Sequence, residues 1–241
     1  MAGRDGLKSF DEIMKPNTFH TRKVLVNEAG EQFTYELEDH YKAIEQYSLH
    51  DEVPDHVATQ YGVARNIYIY AWFEYRFYNA AEAHVLIALE FALKERIGDL
   101  ALKTYIKQRK SEYHERTGSK LHLSSGLKTL MEYCRDHQLV KNEGFNEWQQ
   151  YSTMQAYYKA RNEQFEWSRA EMERTGQLEI ELPEIPIVHL PPDINYDHVQ
   201  HLIDHVNKRR NDYAHGSSIL YPNVLNTFEM VSEFINQVYL N

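Results

Sequence analysis

Cysteine is nearly absent: Cys134 is the only one in 241 residues, which excludes an internal disulfide framework and any cysteine-based zinc cluster. A reducing, cytoplasmic compartment is the expectation. Long apolar runs are also missing, and the opening residues MAGRDGLKSFDEIMKPN carry no apolar core, so neither a membrane span nor a signal peptide is expected. Positive charge is scarce relative to negative, with 26 Lys and Arg against 36 Asp and Glu and a formal net charge of −10. That balance argues against a protein that coats nucleic acid through a broad basic surface, but an enzyme needs only a local basic pocket. No phosphate loop, dinucleotide fingerprint or nucleophile elbow is present, and the turn at Gly30 has too few glycines to cradle phosphate.

The chain is rich in helical periodicity. Its length suits one sizeable helical domain, divided here into an N-terminal hairpin with a leading helix (1–52) and a helical bundle (53–241). Residues 20–38 alternate as a β-hairpin around Asn27 to Glu31, and a helix follows from Asp39 to Tyr47. Pro54-Asp55 reads as a fresh helix start, and 54–97 as the backbone of the bundle, with Gly62 as a break. Leu86, Leu89, Leu93 and Ile97 repeat at helical spacing, and Glu90 shares their stripe.

A basic helix is expected over 100–116, then one over 126–139 through Leu127, Leu130, Met131 and Cys134, the last as a buried thiol. A further helix covers 145–174, held by Phe145, Trp148, Tyr151, Met154 and Tyr158. The proline-rich LEIELPEIPIVHLPPD reads as an extended connection with two strand-like pieces. A helix then begins near Asn195, and Pro222 opens the last one, whose apolar side is Val224, Leu225, Phe228, Val231, Ile235 and Val238. The 18 tyrosines suit buried polar networks, or base stacking if exposed.

The penultimate helix is the most informative stretch. Val199, Leu202, Ile203 and Val206 fall on one arc, and Arg210 falls inside it, so a guanidinium is aimed toward the core side and needs an acid or an anionic ligand. Glu90, the other inward charge, is either its partner or a residue at the edge of the stripe that reaches water. Lys208 and Arg209 adjoin Arg210 as a local basic cluster; Lys103, Lys107, Arg109 and Lys110 form a second, and either can equally be a solvated helix face. His215 follows Arg210 after four residues, with Asn211 between them. Arginine forks onto phosphate, histidine takes and gives protons near neutrality, and Asn211 can orient either.

Arg210-Asn211-Asp212-Tyr213-Ala214-His215, followed by Gly216, resembles the signature of the HEPN superfamily (higher eukaryotes and prokaryotes nucleotide-binding domains). The likeness covers 54–240 loosely and 200–240 specifically, and the run around Glu90 resembles the core helix that precedes the motif helix. It implies a mainly α, HEPN-like bundle in a homodimer whose two motifs face one cleft. It implies metal-independent RNA cleavage, without a cofactor, by attack of the ribose 2′-hydroxyl. His215 would move the proton, Arg210 would stabilise phosphoryl charge, and Asn211 would position Arg210 or the RNA, with Glu90, Arg209 and Lys208 in support. A regulatory protein partner and a toxin or defence role are common in the superfamily. Ser217 stands where the branch regulated by adenylylation has tyrosine, so that regulation is not expected. The hairpin and the proline-rich connection have no counterpart, and the dimer is expected to join through the motif helix and the apolar closing helix.

Two other readings remain open. The same fold can serve as a non-catalytic dimeric scaffold that binds nucleotide, RNA or protein, with Arg210 and His215 as core polar groups. His198, His201 and His205 share a flank of the helix and can either hold a metal or form a solvated face away from the apolar stripe.

Overall fold

A computed structural model describes residues 8–26, 29–187, 196–214 and 223–240, with only the backbone given for Tyr213 and Ala214. Among these residues the chain is mainly helical, with one small antiparallel sheet. The elements are α1 (Thr18–Thr21), β1 (Val24–Val26), β2 (Gln32–Thr34), α2 (Leu37–Glu45), α3 (Asp55–Tyr70), α4 (Phe77–Ile97), α5 (Asp99–Thr117), α6 (Leu127–Asp136), α7 (Asn146–Thr175), α8 (His198–Ala214) and α9 (Val224–Leu240). Among the described residues no helix is long and apolar enough to cross a membrane.

Two compact units are present: 1–140 with 202–241, and 141–201. In the first, α4 packs along α3 and α9, and also meets α6. Its apolar residues therefore cover a wide arc: Ala81, Val85, Leu86, Ala88, Leu89, Ala92 and Leu93 are all buried. From α9, Phe228, Val231, Phe234, Ile235 and Val238 are fully buried, and each such side chain contributes roughly 2 to 3 kcal/mol. The apolar side of α9 thus belongs to the core of its own unit. It is not a surface left over for a second copy, contrary to the dimer contact expected from the sequence.

The break in the long 54–97 stretch lies at residues 71–76, not at Gly62, which sits within α3 with open space where a side chain would be. The reason is that N-terminal residues take the carbonyls released at the end of α3. Asn17 N–H donates to the Trp72 carbonyl at 2.9 Å, His40 Nε2 to that of Tyr68 at 2.9 Å, and His20 Nε2 to that of Ala71 at 3.3 Å. Both imidazoles are buried, with the hydroxyls of Tyr35 and Tyr78 facing Nδ1 of His40 at 3.3 and 3.4 Å. Burial lowers the pKa of both rings, that of His40 to about 4, and raises Tyr35 to about 12. This network is one use of the abundant tyrosines.

The hairpin is shorter than the alternation suggests. Val24 pairs with Thr34, Leu25 with Phe33 and Val26 with Gln32, while His20 already belongs to α1. Part of the expected turn, Asn27 and Glu28, lies outside the described residues. A reciprocal capping box between Glu36 and Asp39 starts α2 two residues earlier than the sequence pattern suggests.

In the second unit α7 runs unbroken to Gly176, whose φ of +70° ends it in the left-handed region. Phe145 and Trp148 are buried as expected, but Met154 and Tyr158 are exposed. Residues 177–187 form neither helix nor strand. The rest of the proline-rich connection, 188–195, is outside the described residues.

Candidate active site

Helical periodicity places the motif helix correctly on its apolar side: Val199, Leu202, Ile203 and Val206 are buried. Arg210, one turn beyond Val206, meets α4, where its Nη2 lies 3.1 Å from Oε2 of Glu90. The pair joins side chains that are 36% and 12% exposed, so it sits at the edge of the core with the guanidinium still reachable from solvent. Glu90 is shared, because Lys94 Nζ, one turn along α4, contacts Oε1 at 2.7 Å. Two cations and one carboxylate leave this cluster with one net positive charge.

A second acid takes part that sequence reasoning missed. Glu82, fully buried, accepts a 2.8 Å hydrogen bond on Oε1 from Thr227 of α9, and Arg209 Nη1 lies 3.4 Å from the same oxygen. Arg209 also donates to Thr227 Oγ1 at 3.3 Å. Three helices therefore meet at one carboxylate, and neighbouring arginines of α8 are tied to acids eight residues apart on α4. The available signal was the stripe itself: Glu82 precedes Leu86 by one helical turn, as Glu90 follows it.

Lys208 and Asn211 are exposed. His215 and Gly216 lie outside the described residues, so the structure gives no geometry between the imidazole and Arg210.

The other candidates change character. His198 is not on a solvated flank: it is buried, with its ring centroid 5.0 Å from that of Phe145 and Nδ1 3.3 Å from the Tyr196 hydroxyl. These aromatic neighbours come from outside the helix and cover a position that periodicity alone leaves open. His201 and His205 are exposed. Among the described residues no group of three His, Cys, Asp or Glu side chains could hold a metal ion.

In the second basic cluster, Arg109 is engaged by Asp136 at 2.6 Å, and the Tyr105 hydroxyl donates to the same oxygen at 2.7 Å. Burial acts to raise the Asp136 pKa, but the Tyr105 hydroxyl and the arginines 135 and 109 outweigh it and hold the carboxyl below its ordinary value. Lys103, Lys107 and Lys110 remain exposed. Cys134 is buried, and burial pushes its thiol up to about 12, so it is no nucleophile.

No protein-family model, curated protein or solved structure matches the chain.

Proposed function

We propose that the chain is a metal-independent endoribonuclease of HEPN type that acts as a homodimer. The observation that supports this most is the setting of Arg210, a partly exposed guanidinium at the end of α8, five residues before His215. It is oriented by Glu90, yet not cancelled by it, since Lys94 shares that carboxylate. Such a cation is available to receive a phosphate group.

In the proposed reaction His215 removes the proton of a ribose 2′-hydroxyl. The 2′-oxygen bonds to the adjacent phosphorus, and the bond to the 5′-oxygen breaks. A proton returned by an imidazolium leaves with that 5′-oxygen, and the 2′,3′-cyclic phosphate remains. Arg210 stabilises the charge that builds on the phosphoryl oxygens. Because the apolar side of α9 is buried in the monomer, the homodimer would join through the exposed polar face of α8 around His205, with Lys208 and Asn211 left to line the cleft.

Generic single-stranded RNA incubated with the chain in chelator provides the test. Cleavage to cyclic phosphate ends is expected, with losses of about 100-fold or more in His215→Ala and in Arg210→Ala. The formal charge of −10 favours a second reading, a non-catalytic dimeric scaffold. Intact RNA together with a stable dimer would establish that reading instead.

A further inference from the structure

A cavity of about 350 Å³ opens in the first unit between the N-terminal segment, the 71–76 turn and the start of α9. This is within the size range of small-molecule sites. In a chain with ten more acids than bases, none of the described residues lining it is Asp or Glu. Its one charged side chain is Lys23, whose Nζ stands 4.0 Å from the centre of the Tyr35 ring. Asp39, the carboxylate whose charge reaches Tyr35, is tied to the Glu36 N–H at 2.9 Å.

Residues 223–226 bring the first turn of the 17-residue α9 to the cavity wall. A helix of that length carries about half a positive charge at its start, although the Asn226 N–H there already donates to the Asn223 carbonyl at 3.1 Å. The walls between are aromatic: Tyr75 and Tyr78 meet edge to face, with centroids 5.3 Å apart. His20, in the same wall, is buried and uses Nε2 on the Ala71 carbonyl, while its Nδ1 has no hydrogen-bond partner. That nitrogen is closed to solvent, so the ring contributes to the wall by its face and edge only.

We propose that this cavity binds a small planar ligand bearing one anionic group, either a carboxylate or a phosphate monoester. The ring packs against Tyr75 and Tyr78, and the anionic group lies between Lys23 and the first turn of α9. The site uses none of the residues assigned to RNA cleavage, so it stands or falls separately from that activity.

Calorimetric titration of the full chain with phenyl phosphate, benzoate, inorganic phosphate and benzyl alcohol tests the proposal. At least one ring-bearing anion is expected to bind with a Kd of about 1 mM or tighter. Which anion binds identifies the group the site prefers. Lys23→Ala, a change at an exposed position that leaves the fold intact, should weaken that binding about fivefold. Perturbed His20 and Tyr78 resonances on titration should locate the ligand. The proposal is overturned if neither ring-bearing anion binds, if benzyl alcohol or inorganic phosphate binds as tightly, or if Lys23→Ala has no effect.

Discussion

At Glu82, in the first unit, two donors converge on a carboxylate that no solvent reaches. Glu82→Ala removes the acceptor from Thr227 and Arg209 together. Arg209 is 41% exposed and can turn to water, which limits the loss to roughly 2 kcal/mol, at the low end for a broken buried pair. Urea unfolding of the variant against wild type measures it, and Glu82→Gln, which keeps an acceptor oxygen, should recover part of the loss. The contrast with Glu90 marks how far sequence can be read at this scale. Glu90 sits among leucines, so its position on an apolar stripe is evident. Glu82 is flanked by Ala81 and Ala83, which suit surface and core alike, and its partner Thr227 arrives from 145 residues away.

Among the elements, the N-terminal segment is fastened to the end of α3 by two imidazoles that must stay neutral. His20 and His40 have ring centroids 5.4 Å apart, and Lys23 acts on both, so protonation places like charges side by side. Both pKa values are lower in the folded chain, so the unfolded chain takes up protons first as the pH falls. The stabilisation is complete above pH 6.5 and is lost as the pH drops toward about 4. For His40 alone the loss reaches about 3 kcal/mol. Urea midpoints measured at pH 7 and pH 5 should show it, and His40→Gln, which keeps an N–H for the Tyr68 carbonyl, should flatten the dependence. Hydrogen exchange should separate two other elements: amides of α4, buried on several sides, exchange last, and those in the exposed middle of α7 much earlier. The helices themselves were legible from periodicity. The α3 to α4 break was not, since its cause is a set of carbonyls taken by Asn17, His20 and His40 from distant positions rather than any local glycine.

For the molecule as a whole, the acidic balance and the small positive cluster make a joint prediction about RNA. If contact with phosphate rests on Arg210 and Lys208, about two charges are neutralised, and the logarithm of affinity for single strands should fall with that of salt at a slope of about −1.4. A slope steeper than about −4 would require a broad basic footprint that the charge distribution does not offer. Fluorescence titration of the His215→Ala variant between low and physiological salt gives that slope without cleavage. The grip of α4 on α8 also limits how the proposed catalyst can work. Rolling α8 to carry Arg210 outward would tear Arg209 from Glu82 and Thr227. In the proposed reaction the scaffold would therefore stand still while the Arg210 side chain swings from Glu90 to an incoming phosphate. Lys94 would then stay behind as the counterion that keeps the vacated carboxylate from repelling the RNA.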